Sequence, residues 1–506
     1  MKHFGKDAIS EIEKNPYVLL DITYGVDFTK VDKMAMDLGV SIDDAKRIES
    51  AIKYSIVLAS NNGHTAVQKE NLIEYVNKLL NADLNNINEG IINLQVKKEI
   101  VIEKRDLEWV YLNTFYIAEQ NIAEKLLALN DTKNIKKIKG FDSKFKKTEK
   151  DILIELSEKQ KDAIKMVNEN NVSIITGGPG TGKTTIIKFI IDMYKQEKKK
   201  VVLCAPTGRA AKRMTETTGE DASTIHRLLE LGKQEESVNK ERLDYPITPI
   251  DADIIIIDEM SMVDVFLMNY ILKGIYLGTK LVLVGDANQL PSVGPGNVLK
   301  DIIESDAIPT IELNEIFRQA AKSKIVINAH RVNNGEELFI KDEENSTNED
   351  FFFINEVSQE KALQDVISLC NGRLKKYGDY DFFKNIQVLT PTKKGILGTK
   401  ELNKALQKAL NSNSKDEKVN GDRVFKVDDR VMQIKNNYDI YWERKTETGT
   451  GIFNGEIGKI TKIDEDSKQM EILFDDGKTA WYDFSDLEQI EHAYSLTIHK
   501  SQRKRI

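Results

Sequence analysis

Gly177-Gly-Pro-Gly-Thr-Gly-Lys-Thr-Thr185 is a glycine-rich stretch between a strand-like apolar run at 172–176 and an apolar helical segment. Four of its residues complete the P-loop pattern: Gly177, Gly182, Lys183 and Thr184. Glycines allow the backbone N–H groups of such a loop to surround phosphates, and the following helix adds its positive N-terminal dipole. A chance glycine-rich turn is the alternative, but the strand before the loop and the helix after it favour a phosphate-binding loop.

This loop predicts a nucleotide site. Lys183 can reach the β- and γ-phosphates, and the hydroxyl of Thr184 can ligate Mg²⁺, so we expect ATP and Mg²⁺ to bind here. The residues expected to contact the nucleotide are those of the loop and the first helical turn, namely Gly177, Gly178, Pro179, Gly180, Thr181, Gly182, Lys183, Thr184 and Thr185.

A pair of carboxylates, Asp258 and Glu259, follows a run of four isoleucines at 254–257. At the C-terminal end of a core strand, Asp258 can hold Mg²⁺ and Glu259 can polarise the attacking water. A plain surface pair is the alternative. The position at the end of an apolar strand, after the P-loop in the chain, favours the catalytic interpretation.

Strand-like runs rich in Val and Ile alternate with helical stretches after residue 151, at 172–176, 200–204, 253–257 and 280–284. Such runs are typical of a parallel sheet buried on both faces, so the predicted fold class is α/β. Similar runs at 386–390 and 494–498 indicate a second α/β domain. Short strands with glycine turns from about 431 to 491 indicate a small β-barrel insertion.

The first 130 residues show helical spacing of apolar residues, followed by two strand-like runs at 99–104 and 109–112. A helix bundle followed by a strand pair predicts a winged-helix-like module. Eight lysines then lie between 132 and 150. A solvated linker is the simpler interpretation of that segment, and a phosphate-contacting segment is the alternative.

The composition sets broad limits. The chain has 506 residues, 40% of them hydrophobic and 30% charged, and no apolar run approaches the roughly 20 residues of a membrane span. Its start carries no signal-peptide core, and its two cysteines lack metal-ligand spacing, so we expect a cytoplasmic protein that makes no use of a membrane. The net charge of −8 argues mildly against a nucleic-acid partner, although a narrow basic groove can bind DNA on an acidic protein.

Several motifs resemble those of the RecD-like DNA helicases of superfamily 1. Asp258-Glu-Met-Ser-Met-Val-Asp264 resembles their second motif, and Gly285-Asp-Ala-Asn-Gln-Leu-Pro-Ser-Val-Gly-Pro-Gly296 resembles their third. Ala205-Pro-Thr-Gly-Arg-Ala-Ala-Lys-Arg-Met214 resembles motif Ia, and Thr224-Ile-His-Arg-Leu228 resembles the next DNA-contacting motif. By this resemblance, Gln289 would sense the γ-phosphate and couple hydrolysis to DNA contacts.

The resemblance extends over nearly the whole chain. It implies that Gln160 reads the adenine base and that Arg318, in motif IV, reaches the γ-phosphate. The implied catalytic residues are Lys183, Glu259, Gln289 and Arg318. The implied DNA-binding residues are Pro206, Thr207, Arg209, His226, Thr390, Asn454, His499 and Ser501.

The resemblance also implies a domain layout of two RecA-like P-loop motor domains after an N-terminal helical region. Its parts are a helix-hairpin-helix-like region at 1–60, a winged-helix-like region at 61–130, a basic linker at 131–150, motor domain 1 at 151–319 with a strand-separating pin at about 232–249, and motor domain 2 at 320–506 with an SH3-like insertion at about 431–491. One departure is Asp27, which stands where a second hairpin glycine is usual and would repel a phosphate.

A second departure lies at the C-terminus. In the family, His499-Lys-Ser-Gln502 would continue into a glycine, a further strand and a motif that carries an arginine finger, whereas here Arg503-Lys-Arg-Ile506 follows. We therefore expect an incomplete second motor domain, with apolar surface exposed around 494–498. A reading-frame slip and a chance basic tail are alternative explanations of the last four residues.

The predicted function is an ATP-dependent DNA helicase that translocates on single-stranded DNA and unwinds duplex DNA carrying a single-stranded tail, acting as a monomer in DNA repair or recombination. Movement from the 5′ towards the 3′ end is implied by the resemblance alone. One alternative is a remnant that binds ATP and DNA but hydrolyses poorly, because an arginine finger contributes strongly to turnover. An RNA-directed relative in the same superfamily is a further alternative.

Overall fold

The computed structural model describes residues 8–22, 26–133, 136–152, 155–231, 243, 246–315, 323–340, 350–412, 414, 416–445 and 447–502. The chain divides into two units, Met1–Phe351 and Phe352–Ile506. Within the described residues, no helix is both long and apolar enough to cross a membrane.

The N-terminal region is helical and carries a small antiparallel sheet, as the pattern of apolar residues predicted. Its described elements are α1 (Ala8–Lys14), α2 (Val18–Ile22), α3 (Phe28–Asp37), α4 (Ala45–Ser60), β1 (Ala66–Gln68), α5 (Lys69–Leu80), α6 (Leu84–Val96), β2 (Ile100–Lys104), β3 (Glu108–Leu112) and α7 (Asn113–Asn130). The three strands pair in the order β1-β3-β2. Asp27 caps α3, since its carboxylate accepts a hydrogen bond from the backbone N–H of Thr29 at 2.9 Å.

The segment expected to be a basic linker contains a helix, α8 (Phe141–Ile152), that packs on the parallel sheet domain. Phe145 of α8 lies 4.8 Å, between ring centroids, from Phe189. Lys136 forms an ion pair with Asp253, and Lys144 forms one with Glu197. Phe141 and Phe145 form the apolar side of this helix, and the lysines lie on its polar side and in the segment before it. The high lysine content of the segment hid this apolar side in the sequence.

A six-stranded parallel sheet forms the centre of the first unit. Its strands and the helices around it are α9 (Glu158–Glu169), β4 (Val172–Gly177), α10 (Lys183–Gln196), β5 (Val201–Ala205), α11 (Gly208–Thr218), β6 (Ala222–Thr224), α12 (Ile225–Leu228), β7 (Ile254–Ile257), α13 (Val265–Lys273), β8 (Lys280–Gly285), α14 (Val298–Glu304), β9 (Thr310–Leu313) and α15 (Lys324–Asn333). The strand order is β6-β5-β7-β8-β4-β9. Every residue of β4, β7 and β8 is buried, as a sheet covered on both faces requires.

Two hydrophobic clusters cover the two faces of this sheet. One contains residues of α9 and α10, and the other contains residues of α13 together with those of the N-terminal helices. Phe115 of α7 and Phe266 of α13 lie 5.4 Å apart between ring centroids. The N-terminal region therefore shares one continuous core with the parallel sheet domain.

The second unit contains a short parallel sheet and a larger antiparallel one. Its elements are α16 (Gln359–Ser368), α17 (Leu374–Tyr377), α18 (Phe382–Asn385), β10 (Val388–Thr390), α19 (Thr399–Leu410), β11 (Glu417–Asn420), β12 (Arg423–Lys426), β13 (Arg430–Gln433), β14 (Asn437–Arg444), β15 (Glu447–Ile452), β16 (Ile457–Asp464), β17 (Gln469–Phe474), β18 (Thr479–Asp483), β19 (Ile490–His492), β20 (Ser495–Thr497) and α20 (Ile498–Gln502). β10 pairs with β20 in parallel, and seven strands pair in the order β15-β14-β18-β17-β16-β13-β19.

A buried carboxylate, Asp429, joins the antiparallel sheet to the rest of this unit. It is 0% exposed. It accepts hydrogen bonds from four side chains, Gln407 at 2.6 Å, Asn411 at 2.8 Å, Tyr494 at 2.8 Å and His492 at 3.2 Å. These side chains come from α19, the residue after it, and the segment around β19 and β20, so a fully satisfied polar network holds those elements together.

The two compact units divide at 351/352. The expected limit between the two motor domains at 319/320 stays a prediction. The expected apolar exposure at 494–498 is wrong for most of that run, since Tyr494 and Leu496 are 0% and 2% exposed. Most of the predicted pin, at 232–242 and 244–245, lies outside the described residues.

Candidate active site

The glycine-rich loop connects β4 to α10, as its sequence predicted. Gly180 and Gly182 have φ angles of 77° and 82°, in the left-handed region that favours glycine. A Cβ at Gly177 would lie 2.8 Å from the backbone oxygen of Leu313, so that position also excludes a side chain. Thr184 and Thr185 are half-buried in the first turn of α10, while Pro179 and Gly180 are exposed.

The amino group of Lys183 lies against this loop. It donates a hydrogen bond to the backbone oxygen of Gly178 at 2.9 Å and another to that of Gly177. The hydroxyl of Thr181 donates to the same Gly178 oxygen at 2.9 Å. The amino group of Lys183 therefore lies inside the loop, at the place where a phosphate would be bound.

Gln160 is buried beside the loop and belongs to a capping box at the start of α9. Its amide nitrogen donates to the backbone oxygen of Thr181 at 3.3 Å, and its amide oxygen accepts from the backbone N–H of Ser157 at 3.1 Å. These bonds connect α9 to the loop. Contact with adenine stays a prediction.

The two carboxylates follow β7, as predicted. The backbone N–H of Asp258 donates to the oxygen of Cys204 at 3.0 Å, which continues the pairing of β7 with β5. Glu259 has a φ angle of 56°, and its N–H donates to the carboxylate of Asp258 at 2.8 Å. A left-handed residue that is not glycine stores conformational energy of about 1–3 kcal/mol and is typical of functional positions.

The loop after β8 carries Gln289. Asp286 is buried at the end of this strand and accepts a hydrogen bond from the side-chain amide of Gln289 at 3.2 Å. The N–H of Ala287 donates to the hydroxyl of Thr176, on β4, at 3.2 Å. A Cβ at Gly294 would lie 1.9 Å from the carboxylate of Asp264, so the loop also packs closely on the start of α13.

The strand order brings these groups to one edge of the sheet. β8 lies between β7 and β4, and the register pairs Ile257 with Leu283 and Thr176 with Gly285. The C-terminal ends of the three strands are therefore level. Because neighbouring strands are about 4.8 Å apart, β4 and β7 are separated by about 10 Å. That spacing leaves room for phosphates and a cation between the P-loop and Asp258. No group of three or more metal-ligating side chains that could hold an ion occurs within the described ranges.

The DNA-binding candidates of the first unit follow β5 and β6, which pair at Ala205 and Thr224. Thr207 caps α11 through its hydroxyl, which accepts from the N–H of Ala210 at 3.2 Å. Arg209 is exposed on the first turn of that helix, and Pro206 and His226 are half-buried. The predicted residues therefore occupy the same edge of the sheet as the carboxylates.

The candidates of the second unit are placed at the ends of its short parallel strands. Thr390 pairs with Thr497 and donates its hydroxyl to the oxygen of Leu397 at 2.5 Å. His499 is exposed on α20, whereas Ser501 is buried and donates to the oxygen of Ile498 at 2.7 Å. Asn454 is exposed in the turn between β15 and β16. No DNA contact of these residues has been tested, and each stays a prediction.

Arg318 lies outside the described residues. His330 was not predicted, yet its ring lies directly against Gly178 of the P-loop. A lone histidine on an amphipathic helix carries no sequence signal of its own, so only the fold could reveal this contact.

A parallel α/β sheet, a P-loop after one strand and an Asp-Glu pair two strands away define a P-loop NTPase of the RecA-like class. Family models add to this. Residues 1–66 match the "ATP-dependent RecD2 DNA helicase HHH domain", residues 160–295 match an "AAA domain", and residues 402–474 match the "ATP-dependent RecD-like DNA helicase SH3 domain".

Whole-chain comparisons agree with these family models. The chain is 29% identical to the ATP-dependent RecD2 DNA helicase of Deinococcus radiodurans over 99% of its own length and 66% of that protein. It is also 29% identical to the RecBCD enzyme subunit RecD of Buchnera aphidicola subsp. Schizaphis graminum, over 78% of this chain and 73% of that one. These comparisons show a chain that is similar to RecD-like helicases along nearly its whole length, and it spans just under two thirds of the length of the Deinococcus relative.

A solved structure, the Pif1 helicase from Candida albicans, is similar at 21% identity and a TM-score of 0.36, over 69% of this chain and 87% of that chain.

Proposed function

We propose that this chain hydrolyses ATP and uses the energy to move along single-stranded DNA and to unwind duplex DNA that carries a single-stranded tail. The observation that carries the proposal is the level arrangement of the P-loop, Asp258-Glu259 and Gln289 at one edge of the parallel sheet. The similarity to RecD-like DNA helicases supports DNA as the partner.

The P-loop fits a nucleotide. Its backbone N–H groups and the start of α10 suit the phosphates, and the amino group of Lys183 is already beside the loop. Thr184 and Asp258 would hold Mg²⁺, whose charge offsets that of the phosphates when it is bound. Two protein ligands suffice, because Mg²⁺ in such sites keeps several waters and takes phosphate oxygens as well.

The remaining residues have distinct proposed roles. Glu259 acts as the base that polarises the attacking water, because it follows the Mg²⁺ ligand on the same strand end. Gln289 relays the state of the terminal phosphate through the loop after β8 to the DNA-binding residues. Arg318 contacts the terminal phosphate, and Gln160 contacts adenine; both assignments rest on the family resemblance.

The test is ATP turnover by this 506-residue chain with and without oligo-dT, beside a Lys183→Ala variant. Turnover that rises with oligo-dT and disappears in the variant is the expected result. Nucleotide binding without turnover would instead favour a chain that binds ATP and DNA but does not work as a motor. Stimulation by RNA and not by DNA would point to an RNA-directed enzyme.

A further inference from the structure

The loop after β8 is held from two sides, and one of them belongs to the N-terminal region. On the side of the sheet domain, the N–H of Val265, at the start of α13, donates to the oxygen of Pro295 at 3.0 Å. On the other side, the N–H of Gly296 donates to the oxygen of Gly63 at 2.9 Å. A Cβ built on Gly296 would lie 3.2 Å from Cβ of Val265 and 3.6 Å from Cγ2 of Thr65. The end of the loop therefore lies between α13 and the segment that carries Gly63 and Thr65.

The segment around Gly63 is a turn between α4 and β1 that its own hydrogen bonds fix. The N–H of Gly63 donates to the oxygen of Ser60 at 3.0 Å, and the N–H of His64 donates to that of Ala59 at 3.3 Å. Gly63 has a φ angle of 92°, in the left-handed region that favours glycine. After the turn, β1 pairs with β3. The turn is thus attached at both ends to the N-terminal region and can hold the neighbouring loop in place.

The loop that this turn contacts also carries Gln289. The hydroxyl of Ser292, which is buried, lies 2.9 Å from the oxygen of Gly294 and 3.0 Å from that of Gly296. The side-chain amide of Gln289 donates to Asp286 at 3.2 Å. Only two residues, one of them a proline, separate Gln289 from Ser292, and proline restricts the backbone. Because the loop is bonded within itself at both ends, a displacement at Gly296 should reach the part that carries Gln289.

We propose that Gly63 is a positioning residue for Gln289: by accepting the hydrogen bond of Gly296, it holds the loop in the conformation that links the nucleotide site to the DNA-binding residues. The inference rests on the proposed function, because it requires ATP and DNA to bind at this edge of the sheet. Gly63 acts through the loop and not by touching either ligand. The N-terminal region thereby takes part in the coupling between nucleotide and DNA.

The alternative is that the contact between Gly63 and Gly296 adds stability and nothing more. Gly278, in the turn before β8, offers a matched control, because its φ angle is 89° and that of Gly63 is 92°. At both positions, no atom of the described residues beyond the chain neighbours lies within 4 Å of an added Cβ. A side chain at either position therefore causes similar backbone strain without a collision. Gly278 precedes β8, at the opposite edge of the parallel sheet, so only a change at Gly63 would disturb the loop after β8.

The experiment measures binding of a fluorescent oligo-dT to the full chain, with and without saturating Mg²⁺-AMP-PNP, in the wild type, Gly63→Val, Gly63→Asn and Gly278→Val. The ratio of the two dissociation constants measures the coupling between the ligands. Because a β-branched residue disfavours a positive φ, we expect Gly63→Val to bring this ratio about two- to thirtyfold closer to one. Its affinity for Mg²⁺-AMP-PNP alone should stay nearly unchanged. Gly63→Asn should keep most of the coupling, since asparagine adopts the left-handed region more readily, and Gly278→Val should keep all of it.

Wild-type coupling in Gly63→Val would overturn the inference, and so would an equal loss in Gly278→Val, which would trace the effect to lost stability. A parallel loss of Mg²⁺-AMP-PNP affinity in Gly63→Val would contradict it too, because the turn would then support the nucleotide site itself. A ratio of one in a wild type whose ATP turnover rises with oligo-dT would overturn this inference alone. If the wild type binds neither ligand, the proposed function fails as well. Should Gly63→Val not fold, Gly63→Ala and Gly278→Ala take the places of the two Val variants, with the same outcomes.

Discussion

The close contacts of the P-loop glycines have two different causes. The side chain missing at Gly178 would collide with the ring of His330, which another residue could replace. The one missing at Gly177 would collide with the backbone oxygen of Leu313, which no substitution removes. A substitution of His330 should therefore relieve the steric clash of a side chain added at Gly178 but not of one added at Gly177.

We predict that Gly178→Ala lowers the unfolding free energy by about 1–3 kcal/mol, the usual cost of an added methyl group in a packed site. Combining it with His330→Ala should recover about 1 kcal/mol or more, because residues in contact are coupled. The control is Gly177→Ala, whose cost His330→Ala should not relieve. Urea unfolding of the single and double variants measures both couplings. Strictly additive costs for Gly178→Ala and His330→Ala would show that the ring and the loop do not touch in solution.

Residue chemistry also explains which site residues could be predicted. Lys183, Thr184 and Asp258-Glu259 lie within local patterns whose spacing reflects one turn or one strand end. His330 depends on a helix far along the chain that packs back onto the loop, and no local pattern records that contact. The left-handed backbone of Glu259 was equally hidden, because a glutamate carries no conformational signal of the kind glycine does.

The parallel strands were predictable from their Val and Ile runs, but one buried lysine in them was not. Lys280 begins β8 and is 1% exposed. Its amino group donates to the backbone oxygens of Val167, Asn168 and Asn170, at the C-terminal end of α9. The lysine thus satisfies carbonyl groups that a helix end leaves without partners.

Burial, together with the smaller effect of the nearby charge of Lys137, lowers the pKa of Lys280 from the ordinary lysine value of 10.5 to about 7. Between those two values the amine is neutral in the folded chain, where it keeps N–H donors for two of the three carbonyl oxygens, and charged in the unfolded chain. Unfolding then takes up a proton and becomes less favourable as the pH rises. The stability contributed by Lys280 should therefore increase from pH 7 towards pH 10.

We predict that Lys280→Met destabilises the protein by about 2–4 kcal/mol, because it leaves buried carbonyl groups without donors. The deficit relative to wild type should grow with pH, by up to about 1.4 kcal/mol per pH unit. Urea unfolding at pH 7 and pH 9 measures both effects. Lys300→Met, at an exposed lysine of α14, serves as the control and should cost less than about 0.5 kcal/mol. A deficit that shrinks as the pH rises would mean that the carbonyls bind the charged ammonium.

The sequence predicted the kinds of domain in this chain. Alternating strands and helices indicated the parallel sheet, and glycine turns indicated the antiparallel insertion. The expected limit at 319/320 followed the motifs, whereas the two compact units divide at 351/352 and place α15 in the first of them. The limits of a domain depend on how its helices and strands pack, and sequence motifs carry no information on that packing. The shared core of the N-terminal region and the sheet domain was invisible for the same reason.

That shared core has a measurable consequence. Phe115 of α7 packs on Phe266 of α13, and the N–H of Gly296, in the loop after β8, donates to the oxygen of Gly63 at 2.9 Å. The N-terminal region therefore contacts both a helix beside the nucleotide edge and the loop that follows Gln289. We expect the region and the sheet domain to unfold together.

Trp109 offers a selective probe, because the other two tryptophans, Trp442 and Trp481, are in the second unit. With both of those changed to Phe, the fluorescence of Trp109 reports the N-terminal region alone. We predict that Mg²⁺-AMP-PNP at a hundred times its dissociation constant stabilises the Trp109 transition by about 2.7 kcal/mol, since a ligand stabilises every part of a unit that unfolds cooperatively with its site. The same protein with Lys183→Ala should show no shift. If the nucleotide stabilised the sheet domain but left the Trp109 unfolding transition unchanged, the two regions would unfold independently despite their common core.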